Sequence, residues 1–230
     1  MIPISDNFRS WKKPVITSWL IGINIALFCW ELYLDINGQL DSLVNSWGII
    51  PLQTNTAITN AIFYNSAAWL VVLWRLLALP LSLFLHSSFS QIVGNLLFLW
   101  VFGKTVERIL GKQTYLMLYF AAGIFAGMIE IFMASKLDTP VIGANGAIAS
   151  ILGAYIIKYP QLKIDSVLPL IIIFIPVEIP AFWYSFWWFI QQLFYGIGGL
   201  NIPGGVHNLG FWGQFAGLVT GAALMRIVNR

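Results

Sequence analysis

At 230 residues, 59% hydrophobic and 9% charged, this chain is too apolar for a soluble domain, where about a quarter of residues carry charge. With a mean hydropathy of +0.80, the composition describes an integral membrane protein. The net charge of +3 is no nucleic-acid signature, and a single cysteine, Cys29, excludes an intrachain disulfide.

In chain order, residues 1–12 read as a short floppy N-terminal tail and 13–230 as one membrane domain. Apolar runs near 14–34, 90–103, 113–134, 145–159, 167–187 and 209–228 predict six spanning helices. A span takes about 20 apolar residues, fewer with tilt or bilayer thinning. The first run is too long for a signal-peptide core and lacks a small-residue cleavage site, so it reads as a retained span with Cys29 as a packing residue. A further apolar stretch, 67–85, contains Arg75 and Pro80. An arginine at mid-membrane costs about 2.5–3.5 kcal/mol, and proline breaks the helix ladder. That stretch is therefore assigned to a long first loop, 35–85, at the outer interface, where Trp47-Gly48-Ile49-Ile50-Pro51 also falls.

Basic residues set the orientation. With six spans and the N-terminus inside, Arg9, Lys12, Lys13, Lys104, Arg108, Lys112, Lys158, Lys163, Arg226 and Arg230 are cytoplasmic. Only Arg75 and Lys136 are left outside. Counting 67–85 as a span would instead move most of these charges to the outer side. The pattern predicts a multi-pass protein with both termini cytoplasmic, in a bacterial-type plasma membrane first and an organellar or thylakoid membrane as the alternative.

Five groups of residues carry the chemistry in fixed order. They are Trp74-Arg75; His86, Gln91 and Asn95; Gly103-x3-Glu107-x3-Gly111; Gly143-Ala144-Asn145-Gly146; and Gln214-x2-Gly217-x3-Gly221. Together they resemble the rhomboid intramembrane serine proteases over roughly residues 47–225. The resemblance implies an all-α, polytopic, six-transmembrane-helix bundle with a long interfacial first loop. It also implies a serine nucleophile at the start of the fourth span and a histidine base in the sixth. A hydroxyl needs such a base to become nucleophilic. Here Asn145 stands at the nucleophile position and Gln214 at the base position. A carboxamide forms no acyl-enzyme, and glutamine takes no proton near neutral pH. Asn145 is read as a helix N-cap, able to hydrogen-bond across to Gln214.

The resemblance assigns Gln91 and Asn95 to the oxyanion positions, Asn95 matching the family and Gln91 departing from it. His86, Trp74 and Arg75 are cavity or substrate-binding candidates, His86 being read first as a loop-anchoring hydrogen-bonder. Gly146, Gly217 and Gly221, with Gly123 and Gly127, are read as close helix-packing positions. Ser150 is a small packing residue one turn deeper than Asn145. His207 is an interfacial loop residue two turns from Gln214, and 188–207 a flexible outer loop. Glu31, Glu130 and Glu178 are read as snorkelling carboxylates near helix ends, and Glu107 as structural. No metal site or cofactor is expected.

Three functions follow. The first is a non-proteolytic rhomboid that binds transmembrane segments of client proteins in the lipid bilayer. The second is a serine endopeptidase, as the family alone implies. The third is a channel or transporter using the intramembrane carboxylates.

Overall fold

The computed structural model describes residues 2–228 apart from 9, 12, 171–172 and 199–209. The chain is mostly helical. α1 (Ile16–Ile36) leads into a first loop folded as three helices: α2 (Leu40–Trp47), α3 (Pro51–Phe63) and α4 (Ala68–Ser82). α5 (Phe89–Phe98), a π-helical turn (Leu99–Gly103) and α6 (Lys104–Leu110) run on as one 22-residue apolar helix. α7 (Lys112–Met133), α8 (Asn145–Lys158), α9 (Ala181–Gly198) and α10 (Phe211–Val228) follow. Among the described residues, α1, the α5–α6 helix, α7 and α10 are long and apolar enough to cross a membrane.

At 14 residues, α8 is shorter, and nine consecutive residues from Ala147 to Tyr155 are buried. It is the central helix, enclosed on all sides. Against it α10 packs backbone to backbone. A Cβ at Gly217 would strike the Gly146 carbonyl, one at Gly221 the Ser150 carbonyl, and one at Gly153 the Leu218 carbonyl. Small residues let helices approach this closely where lipid offers no hydrophobic driving force. The core around α8 is aromatic: Phe102, Tyr115, Tyr119 and Tyr155 are fully buried. Phe98 and Phe102 stack on Tyr184 of α9.

Two expectations are corrected. The floppy tail is ordered at Ile2–Asp6, which forms β1, and the run expected as a fifth span begins as a hairpin, β2 (Lys163–Leu170) and β3 (Ile173–Pro180). The three strands make an antiparallel sheet in the order β1-β2-β3, so the fold is not all-α. Pro169, Pro176 and Pro180 deny this run a helical ladder, and its β-branched residues favour strands. The helix starts only at Ala181. It continues to Gly198 through much of the expected 188–207 loop, whose remainder, with His207, lies outside the described residues.

Carboxylates join the segments. Glu107 Oε1 accepts from the Val15 and Ile16 amides at 2.8 and 2.9 Å, and Oε2 from the Thr17 amide and hydroxyl, each at 2.8 Å. The first turn of α1 has no side-chain cap of its own. Glu107 supplies one from 90 residues away, placing negative charge at the positive end of the α1 dipole. Glu31 and Glu130 are 2% exposed, not snorkelling: Glu31 accepts from the His86 amide with both oxygens at 3.1 Å, and Glu130 Oε2 from the Gly213 amide at 2.6 Å. Glu178 alone reaches the surface, paired with Lys163 at 2.9 Å.

Candidate functional site

Gly210 has φ +100°, a conformation that favours glycine, and turns the chain into α10. From the position a Cβ on Gly210 would occupy, the Asn145 Nδ2 lies 3.8 Å away and the Gln214 Nε2 3.9 Å. The two carboxamides thus approach one small volume at the meeting of α8 and α10. Among the described residues no hydrogen bond joins the two carboxamides directly. Asn145 is also not the cap of α8: Ala144 holds that position without a side-chain bond, and Asn145 is the first helical residue. Its amide is turned toward Gly210.

Asn145 borders a small, partly open cavity of about 30 Å³, room for about one water, between α7, the end of α4 and the 141–146 loop, lined by Ile49, Ser82, Gly127, Glu130 and Gly213 among others. The loop is fixed at both ends. Ile49 and Val141 exchange backbone hydrogen bonds at 3.1 and 2.7 Å, and the Gly143 amide donates to the Ser82 carbonyl at 2.9 Å. Gly143 has φ +109°, and a Cβ there would collide with the Gln91 amide. Glycine is required twice over.

Gln91 and Asn95 lie beside this region, yet both have internal partners. Gln91 Nε2 donates to the Ile142 carbonyl at 2.9 Å, while Oε1 accepts from the Ser87 amide and hydroxyl at 2.7 and 2.9 Å. Asn95 Nδ2 donates to His86 Nε2 at 3.2 Å. That assigns the imidazole proton to Nδ1, which donates to the Phe84 carbonyl at 3.1 Å. His86 is therefore a neutral, 3% exposed anchor of the α4–α5 connection. Burial lowers its pKa to about 4, against an opposing pull from the Phe84 carbonyl.

The unfolded chain takes up this proton near pH 6.5 and the folded one only near 4, so the His86 contribution to stability is complete above pH 6.5. It declines as pH falls toward 4. A detergent-unfolding series from pH 7 to pH 4.5 is expected to show this loss, and His86→Gln to flatten it.

Trp74 and Arg75 do not line the pocket. Arg75 Nη1 donates to the Asn45 and Gly48 carbonyls at 3.0 and 3.3 Å, and Nη2 to Gln53 Oε1 at 2.7 Å. The Trp74 ring stacks on Trp47 with centroids 4.7 Å apart, and its Nε1 donates to the Ser46 carbonyl at 3.3 Å. Both residues staple the first loop together. His86 likewise stands outside the lining. Glu130, expected as a snorkelling carboxylate, instead lines the pocket and braces the start of α10. Its only signal was a charge within an apolar span.

Ser150 Oγ is fully buried and donates to the Ala147 carbonyl at 2.6 Å.

Residues 71–230 match the Rhomboid domain family. The chain belongs to this family of membrane proteins. It is 34% identical over 142 residues to Rhomboid protease GluP of Bacillus subtilis (strain 168), covering 62% of this chain and 24% of that protein. It is 31% identical over 96 residues to the mitochondrial Presenilin-associated rhomboid-like protein A of Danio rerio, covering 41% and 25%. A match to Putative rhomboid protease YdcA of Bacillus subtilis (strain 168) has 34% identity over 83 residues, covering 36% and 40%. The matches span between about a quarter and two fifths of these relatives' lengths.

Proposed function

We propose that this chain is a catalytically disarmed rhomboid that binds transmembrane segments of client membrane proteins. In this reading it is a six-span bundle of a bacterial-type plasma membrane, with both termini cytoplasmic. The supporting observation is the approach of the Asn145 and Gln214 carboxamides to Gly210, at the two positions to which the family resemblance assigns an alcohol and an imidazole. Neither group carries out the attack or the proton transfer of acyl-enzyme chemistry. The site keeps donors and acceptors that suit a polar or kinked stretch of a client helix, beside an apolar wall. GluP and YdcA are named as proteases. For this chain the same activity would need another hydroxyl beside another base, and Ser150 and His86 are both enclosed by bonds of their own.

In proteoliposomes the purified protein is expected to leave a helical transmembrane substrate uncut and to take no label from a serine-directed fluorophosphonate. Specific labelling of any serine overturns the reading. The double change Asn145→Ser with Gln214→His is expected to gain cleavage, because it restores nucleophile and base on an unchanged scaffold. Binding is measured separately with a fluorescent transmembrane peptide in nanodiscs. Asn145→Trp, whose ring is larger than the small cavity and blocks its mouth, is expected to weaken it about tenfold, the equivalent of about 1.4 kcal/mol.

A further inference from the structure

The β2–β3 hairpin changes from charged to purely apolar along its length. Next to the bundle, Lys163 pairs with Glu178, both side chains more than half exposed, and Asp165 Oδ2 accepts from Ser5 Oγ at 2.6 Å. Past the Ser166–Val177 rung, the pairs Val167–Pro176, Leu168–Ile175 and Pro169–Phe174 contain no polar side chain. Phe174 is 65% exposed and Ile175 39%. The described residues leave this apolar end uncovered.

Three observations indicate what covers it. The first is depth. Asp6, at one end of β1, accepts from the Thr105 hydroxyl at 2.6 Å, and the strand packs on the π-helical turn and on α5, toward the N-terminal half of the membrane-length helix. Asp6 pairs with Ile164 and Ile2 with Val167, so β2 climbs the same way and its later rungs run on past Ile2. The hairpin therefore extends alongside a spanning helix rather than away from its end.

The second is the choice of edge residues. An amide left unpaired in hydrocarbon costs several kcal/mol. β3 is an edge strand and carries Pro176; β2 carries Pro169 where β1 no longer covers it. Proline has no N–H, so each removes a donor that lipid could not satisfy.

The third is the sequel. Phe182, Trp183, Phe186 and Trp187 are exposed on α9 directly after the hairpin, an aromatic set of the kind found at lipid–water boundaries.

We infer that the end of the hairpin around Leu168, Phe174 and Ile175 is a lipid-inserted wedge, held in the hydrocarbon layer of the bilayer that the helices span, with its charged base at the headgroups. The wedge is independent of what happens at Asn145. It is tested in a Cys29→Ser background with nitroxide labels at Phe174→Cys, Ile175→Cys and, as the base reference, Gln161→Cys, in lipid vesicles. Collision with dissolved oxygen relative to a water-soluble nickel chelate is expected to be higher at 174 and 175 than at 161. An equal or lower ratio at 174 and 175 overturns the inference. So does dipolar broadening between labels on different molecules, which would make the partner a second copy of the chain. All three side chains are at the surface, so labelling leaves the bundle core untouched, and retained monodisperse elution confirms folding for each variant.

Discussion

Gly221→Ala is expected to be among the most damaging single methyl additions in this protein, with Gly217→Ala close behind. At each position the new Cβ meets a backbone carbonyl of α8, Ser150 in one case and Gly146 in the other. A side chain could rotate away from such a clash, whereas a carbonyl within a helix cannot. Relief requires α10 to withdraw from α8 along the whole seam. Overpacking usually costs about 1–3 kcal/mol, and an unyielding neighbour puts these changes at about 3 kcal/mol or more, roughly a hundredfold in the unfolding equilibrium. Gly22 is the control: nothing lies within 4 Å of its Cβ position, so Gly22→Ala is expected to be neutral or stabilising by up to about 1 kcal/mol. Titration of the folded protein with a denaturing detergent separates the three. Equal behaviour of Gly22→Ala and Gly221→Ala would refute the backbone-contact account of the seam. The functional consequence is direct, because this seam sets the spacing between Asn145 and Gln214.

Glu107→Ala is the second large loss. Its carboxylate serves three amides and one hydroxyl at the start of α1, and α1 has no local substitute. A hydrogen bond to a charged group contributes about 1.5–3 kcal/mol, and stranded buried donors add their own desolvation cost. A loss of about 3 kcal/mol or more is expected in the same titration, concentrated in detachment of α1. Glu107→Gln, keeping one acceptor oxygen, is expected to fall between. By contrast, Glu178→Ala breaks an exposed pair and is expected to cost less than about 1 kcal/mol. If Glu107→Ala and Glu178→Ala proved alike, the cap would not be the link that holds α1 to α6.

Local patterns and distant contacts divide the understanding of this chain unevenly. Charge scarcity and apolar run length announce a membrane protein, because a bilayer imposes length and polarity on each segment separately. The glycines at 217 and 221 and the motif around Asn145 were equally legible, since close helix approach and a helix start leave their mark within a few residues. Tertiary structure alone decided the roles of Glu31 and Glu130. Their donors are backbone amides 55 and 83 residues away, and an amide has no sequence signature. The same holds for Gln91 and Asn95, whose side chains are bound to Ile142 and His86. The 167–187 run was misread for a different reason. Hydropathy records how apolar a segment is but not its backbone form, and here three prolines and a strand partner at the far N-terminus turn its first two thirds into a hairpin. Composition could place this protein in lipid; only the packing of remote segments determined which polar groups meet beside Gly210.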